Sequence, residues 1–137
     1  MSTAFWLAVA AYVFPSFALG YSWHLTTFAR RYHELGLYRE DVIIPMGLGS
    51  MFIQGLFFAW VYPHLFSTAD DQWLRSAVGF ATIFGVLAWS FLVLPVAAKN
   101  KMTSVSTYMI LETAFTAMQF IVAGILIALA YRGFAPA

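Results

Sequence analysis

The sequence contains no cysteine and few charged residues. The missing cysteine excludes disulfide bonds, thiolate metal sites, a cysteine nucleophile and Cys-x-x-Cys redox chemistry. Only 9% of the 137 residues are Asp, Glu, Lys or Arg, whereas a soluble domain carries about 25%. The net charge of +1 offers no basic surface for nucleic acid, so we expect no nucleic-acid partner. No HExxH, GxSxG, P-loop or GxGxxG pattern occurs, and the sequence indicates no cofactor, metal or catalytic residue.

Apolar residues take the place of the missing charge. They make up 62% of the chain and form four runs, at about 4–28, 42–62, 73–98 and 104–131. A helix crosses the hydrocarbon core with ~20 residues, so each run is long enough to span a bilayer. The sequence predicts an all-α four-transmembrane-helix bundle, a single polytopic membrane domain over residues 1–137. Pro63 is expected to end the second helix.

The basic residues predict the orientation in the membrane. The loops after the first and third runs hold five Lys and Arg residues, and the other side of the membrane holds two, Arg75 and Arg132. Because basic loops stay in the cytoplasm, we expect both termini to lie outside it. The lipid bilayer is then the first partner of the chain.

A weak internal repeat links the two halves of the chain. The pattern Gly-x-x-x-Ala-x-x-Tyr occurs at 55–62 and again at 124–131, and Trp23 has a counterpart in Trp89. Two helical hairpins of equal orientation, related by an axis along the membrane normal, would produce this pattern. Coincidence is an equal alternative, since membrane helices are rich in Gly and Ala.

Small residues spaced four apart mark faces on which helices approach closely in lipid. Three such faces occur, namely Ala77, Ala81 and Gly85, then Gly55 and Ala59, then Gly124 and Ala128. These faces either close the bundle within one chain or pair it with another chain, and the sequence leaves both uses open.

Glu112 is the sharpest polar signal because it lies about two turns inside the fourth run. A carboxylate at such depth costs at least ~2.5 kcal/mol unless it is paired, protonated or hydrated. We therefore expect it to face other helices. Tyr108 and Thr116 each lie four residues from Glu112, and Gln119 lies seven residues from it, so all three share its helix face.

Two residues of other helices are the expected partners of Glu112. His24 lies near the inner end of the first run, and Gln54 lies near the middle of the second. The predicted ligand-binding set is Glu112, His24, Gln54, Gln119 and Tyr108. A structural interpretation has slightly more weight, since a buried Glu–His pair with glutamines also fixes the register of packed helices.

Several short motifs resemble those of an uncharacterised group of small bacterial four-helix integral membrane proteins. They are Trp23-His24-Leu25, Tyr38-Arg39, Gly49-Ser50-Met51, Gln54-Gly55, Tyr62-Pro63 and Leu111-Glu112-Thr113. The resemblance covers most of the chain and implies the bacterial inner membrane as its location. It carries no activity over to this chain.

Two functions follow as hypotheses. The first is a non-enzymatic protein that binds or passes a small solute or ion through the polar centre at Glu112 and His24. The second is an accessory subunit of a larger membrane complex, or a homo-oligomer, that docks through its small-residue faces. A membrane enzyme ranks third, because no nucleophile–base pair is recognisable in the sequence.

Overall fold

The computed structural model describes residues 2–134, and all regular structure among them is helical. Two helices contain a π-helical turn, Trp23–Thr27 and Trp89–Val93, each beginning at a tryptophan. The α-helices are α1 (Thr3–Ser22), α2 (Ala29–Leu35), α3 (Ile44–Leu65), α4 (Trp73–Ala88), α5 (Leu94–Lys99) and α6 (Val105–Tyr131). The all-helical part of the predicted fold class is confirmed.

Four segments are long and apolar enough to cross a membrane, and they suggest a membrane protein. They are Thr3–Thr27, Ile44–Leu65, Trp73–Lys99 and Val105–Tyr131. The predicted runs match them to within three residues at every end. Many large apolar side chains are exposed on the protein surface, as contact with lipid requires.

The expected stop at Pro63 is wrong, because α3 continues through this proline to Leu65. Proline has no N–H to donate to the carbonyl four residues earlier, which here belongs to Ala59. The hydroxyl of Tyr131 donates to that carbonyl instead, at 2.6 Å. The helix tolerates the proline because another helix satisfies the acceptor that it leaves open.

The long helices pack in the order α3, α1, α6 and α4, with α1 and α6 at the centre. The helices form two hairpins, α1 with α3 and α4 with α6. In each hairpin a glycine lies close to the backbone of the partner helix. A Cβ atom on Gly124 would lie 2.6 Å from the carbonyl oxygen of Ala77 and 3.3 Å from Cβ of Ala81. A Cβ atom on Gly55 would meet the carbonyl oxygen of Val9 at 3.4 Å and a methyl group of Val13 at 3.0 Å. Both hairpins thus repeat one contact, a glycine against a carbonyl and the side chain four residues on.

The small-residue faces are occupied within the chain. Gly85 also packs against another helix, with Cβ of Phe120 3.3 Å from the position of a glycine Cβ. Ala59, Ala77 and Ala128 are buried. These faces therefore hold the chain's own helices together, and Ala81 and Gly85 stay partly exposed beside a groove between α4 and α6.

Aromatic rings fill the half of the molecule that holds the N-terminus of α1 and the C-terminus of α6. The Phe58 ring centroid lies 5.2 Å from that of Phe80 and 5.0 Å from that of Phe84. Tyr62 and Tyr131 stack at 5.2 Å with their planes 10° apart. We call this half the outer half, after the predicted orientation, and the opposite half the inner half.

The inner half of α3 lies apart from the other helices. Residues 44–50 are all exposed, and Cβ atoms on Gly47 and Gly49 would meet nothing within 4 Å. The remaining inner segments, in contrast, form a second apolar cluster that supports the polar centre.

Candidate functional site

The second apolar cluster holds α2 across the inner end of α6. Tyr32 and Leu35 of α2 pack with three buried residues, Val93, Tyr108 and Leu111. The loop before α6 is hydrogen-bonded to the C-terminal end of α2. Thr103 donates from its hydroxyl to the Glu34 carbonyl and from its backbone N–H to the Leu35 carbonyl. Gly36 ends α2 in the left-handed conformation, with φ of 68°.

Glu112 lies inside this frame and faces α1. The residue is 8% exposed, and its Oε1 atom lies 2.9 Å from Nε2 of His24. The His24 side chain is 24% exposed, so the histidine of this pair reaches the protein surface. The carboxylate inside this candidate membrane span is thus paired with a histidine from another segment of the chain, as expected for a charge that is costly to leave unpaired in lipid.

Two tyrosines complete the surroundings of the same oxygen. The Tyr32 hydroxyl donates to Oε1 of Glu112 at 2.6 Å, and the Tyr38 hydroxyl approaches it at 3.4 Å. The indole N–H of Trp23 in turn donates to the Tyr32 hydroxyl at 3.1 Å. We call Glu112, His24, Tyr32 and Tyr38 the inner site.

Both tyrosines of the inner site stay protonated at neutral pH. Burial raises the pKa of Tyr32 well above its ordinary value, and the hydrogen bond to Glu112 raises it further. The pKa of Tyr38 is also raised, first by burial of the phenol group and then by the charge of Glu112. Both phenols therefore act as hydrogen-bond donors to the carboxylate at neutral pH.

The π-turn of the first helix places the histidine. His24 is the second residue of that turn, and its Nδ1 lies 3.1 Å from the carbonyl oxygen of Gly20. Because a carbonyl oxygen only accepts, Nδ1 carries a hydrogen and donates it. A π-turn inside a helix is a frequent mark of a functional position.

The two predicted glutamines belong to a separate cluster. The Tyr12 hydroxyl donates to Oε1 of Gln54 at 2.6 Å, and Nε2 of Gln119 donates to the Tyr12 hydroxyl at 3.3 Å. Tyr12 is fully buried. We call Tyr12, Gln54 and Gln119 the middle cluster, which ties α1, α3 and α6 together.

A buried polar face on α1 and α6 runs between the two clusters. Ser16 of α1 and Thr116 of α6 are both buried, and each lies four residues from a member of one cluster. Beyond the middle cluster the interface turns apolar, with Ala8, Ala123 and Ile127 buried. The polar face therefore covers only the inner half of the molecule.

The predicted site residues thus fall into two groups. The structure brings Glu112 together with His24, and Gln119 together with Gln54. Tyr108 is buried one turn before Glu112, yet among residues 2–134 its hydroxyl makes no hydrogen bond to the carboxylate.

Three tyrosines that bond to the predicted residues were missed in the sequence, namely Tyr32 and Tyr38 beside Glu112 and Tyr12 between the glutamines. Tyr32 and Tyr38 lie beyond the helix break at Phe28, so helical spacing could not relate them to His24. Tyr12 had a signal, because Tyr12, Ser16, Gly20 and His24 recur every four residues on one face of α1.

The side chains of the inner site can hold a proton and can donate and accept hydrogen bonds. In the described part of the chain, no group of three or more His, Asp and Glu side chains is placed to hold a metal ion. One carboxylate, one imidazole and two neutral phenols can bind a proton, a cation or a polar solute.

No protein-family model, curated protein or solved structure matches the chain. The resemblance to a group of small bacterial membrane proteins stays a prediction, and the two polar clusters carry the evidence for a function.

Proposed function

We propose that this protein is a four-span bundle of the bacterial inner membrane, with both termini outside the cytoplasm, that binds a small solute or ion without catalysing a reaction. The inner site is the binding site, and Glu112 is its centre. In this orientation the ligand enters from the cytoplasmic side.

The single observation that carries the proposal is the inner site itself. Three polar side chains from three segments of the chain converge on the Glu112 carboxylate, and two of them, His24 and Tyr38, remain partly exposed beside it. A structural ion pair alone requires no such contact with the surface. An ionisable residue inside a membrane span is a functional-site hypothesis by default.

Binding is favoured over passage by the extent of the polar face. A solute that crossed the protein would need polar partners in both halves. Beyond the middle cluster it would meet the packed rings of Phe58, Phe80 and Phe84. We therefore assign a one-sided site, and not a conducting path, to this protein.

A ligand screen with matched variants tests the proposal. The purified protein is screened against small solutes and salts by thermal unfolding, and a ligand raises the unfolding temperature of the form that binds it. Glu112→Gln should abolish the rise. Glu34→Gln, the same change at an exposed carboxylate paired with Arg30, should preserve it. A rise that survives in Glu112→Gln would place the ligand elsewhere and contradict the proposal.

The second candidate function is an accessory subunit, and the uncovered inner half of α3 favours it. All seven residues 44–50 are exposed around the whole helix, which is an arrangement suited to contact with another membrane protein. The small-residue faces favour this candidate less, since Gly55, Gly85 and Gly124 pack against other helices of the same chain.

Co-purification from the native membrane tests the accessory role. Gly47→Leu and Gly49→Leu change a surface that touches nothing else within the described chain, so the isolated protein should stay folded. Loss of a stoichiometric partner in these variants, but not in Ile110→Leu on exposed α6 surface, is the expected result for an accessory subunit. Recovery of the same species with all three variants would speak against it.

A further inference from the structure

Glu112 uses only one of its two carboxylate oxygens. Its Oε1 atom meets His24, Tyr32 and Tyr38, and among residues 2–134 no group donates a hydrogen bond to Oε2. Oε2 is not fully enclosed by protein, since the Tyr62 hydroxyl is the buried side-chain atom that lacks a hydrogen-bond partner in the described part of the chain. Oε2 can therefore be reached by a ligand and can accept a hydrogen bond from it or bind a cation.

The hydrogens of the inner site can be counted from its geometry. Nδ1 of His24 donates to the Gly20 carbonyl, so the contact of 2.9 Å between Nε2 and Oε1 of Glu112 needs one further hydrogen. With that proton the pair has no net charge, and without it the pair has a charge of one negative unit.

Among residues 2–134, no other charged side chain contacts the pair. The titratable groups that face Glu112 are His24 from α1, Tyr32 from α2, Tyr38 from the following loop and Tyr108 from α6. Removal of the shared proton would thus leave an uncompensated carboxylate in a buried place. A cation that replaced the proton would restore neutrality.

Aromatic rings surround the His24 imidazole, which lies beside the Glu112 carboxylate. The His24 ring centroid lies 4.6 Å from that of Tyr32, 6.2 Å from that of Tyr38 and 4.5 Å from that of Phe115. Tyr38 is 46% exposed and forms the open flank of the group. Aromatic faces attract organic cations, and most strongly quaternary ammonium groups.

We propose that the inner site exchanges its shared proton for one small organic ammonium cation. The inference rests on the proposed solute-binding function and names the ligand class. The cation binds beside the Glu112 carboxylate, the proton between Nε2 and Oε1 leaves for water, and the net charge of the site is zero before and after. Nε2 then presents a lone pair to Oε1, so His24 moves away while the two tyrosines keep the carboxylate in place.

The exchange makes a quantitative prediction. Since one proton leaves for each cation bound, the affinity rises by about tenfold per pH unit wherever the free site holds the proton, and becomes constant above that range. A cation that bound without displacing a proton would show no such dependence.

Choline and its uncharged isostere 3,3-dimethylbutan-1-ol are suitable probes, because neither titrates near neutral pH. Calorimetric titration of the full chain in maltoside detergent, between about pH 6 and pH 8, is run in two buffers of different ionisation enthalpy to count released protons. We expect choline to bind with release of one proton and the isostere to bind at least about tenfold more weakly. Glu112→Gln should remove choline binding, and Glu34→Gln should retain it.

The outcomes separate this inference from the proposed function. If the isostere binds Glu112 as tightly as choline does, or if choline releases no proton, the exchange is wrong and a neutral-solute site stands. If choline binds equally to wild type and Glu112→Gln, or not at all, the exchange is also wrong, and the solute screen decides the proposed function separately. A soluble short-chain phosphatidylcholine distinguishes the source: binding of free choline alone indicates a solute, and tighter binding of the lipid indicates a headgroup ammonium.

Discussion

Nε2 of His24 lies 2.9 Å from Oε1 of Glu112, although 88 residues separate them in the sequence. The contact joins α1 to α6, the two central helices, at their inner ends. It is supported on one side by the Gly20 carbonyl and on the other by the Tyr32 hydroxyl. The pair is therefore held in position from both sides.

The energetic coupling of the two residues can be measured. Glu112→Gln keeps an acceptor for the tyrosines and should destabilise the protein by about 1 kcal/mol. Glu112→Leu leaves His24 and Tyr32 without their acceptor and should cost about 3 kcal/mol. In a double-mutant cycle of Glu112→Leu with His24→Ala, the double variant should lose less stability than the sum of the two single losses, by about 1 kcal/mol or more.

The middle cluster provides the control for that cycle. Gln119 lies seven residues from Glu112 along α6, a rise of about 10 Å, and within the described part of the chain the two side chains share no hydrogen-bond partner. Glu112→Gln and Gln119→Leu should therefore add to within about 0.5 kcal/mol. Strong coupling in this control pair, measured by reversible unfolding in detergent, would mean that the two clusters act as one.

Glycine substitutions test the packing of the second hairpin. Gly124→Ala would place a Cβ atom 2.6 Å from the Ala77 carbonyl, so α4 and α6 must separate, and we expect a loss of about 2 kcal/mol. Gly49→Ala meets nothing within 4 Å and should be neutral or stabilise α3 by up to about 1 kcal/mol. Equal unfolding temperatures for the two variants would show that α4 and α6 do not pack as described.

Alkaline pH should weaken the inner site through Tyr32. Its pKa is raised in the folded protein, chiefly by burial, so its contribution to stability is fully present below the ordinary tyrosine pKa of about 10 and is lost as the pH rises toward the folded value. Tyr32→Phe should therefore flatten the decline of the unfolding temperature above about pH 10.

Tyr21→Phe is the matched control for Tyr32→Phe, because the Tyr21 side chain is 49% exposed. This variant should keep the alkaline decline of the wild type. A decline that is the same in all three proteins, recorded with the tyrosinate absorbance, would remove Tyr32 as its cause.

The orientation in the membrane has a direct test. The excess of basic residues in the loops after the first and third candidate spans predicts that the C-terminus lies outside the cytoplasm. A C-terminal fusion to a reporter that is active only outside should be active, and a fusion to one active only inside should be silent. The reverse result would place the inner site on the outer side of the membrane.

The helical segments were predicted well from sequence, because length and hydropathy are enough to locate a long apolar helix. The four apolar runs match the four candidate spans to within three residues. The error at Pro63 has a tertiary cause, since the Tyr131 hydroxyl comes from a part of the chain 72 residues away from Ala59.

The site was less accessible to prediction from sequence. Helical periodicity related Glu112 to Gln119 on one helix, but it could not show that Tyr12 draws Gln119 toward Gln54 and away from the carboxylate. Tyr32 and Tyr38 reach Glu112 only because the chain bends at Phe28 and Thr103 holds the end of α2. Such contacts depend on packing between segments, which a single sequence does not record.

Proton–nitrogen NMR of the His24 imidazole tests the central claim most directly. We expect Nδ1 to carry a hydrogen that is bonded to the Gly20 carbonyl, and Nε2 to change its chemical shift in Glu112→Gln but to keep it in Gln119→Leu. A His24 signal that is the same in wild type and Glu112→Gln would show that the two side chains do not share a proton, and would contradict the account of the inner site.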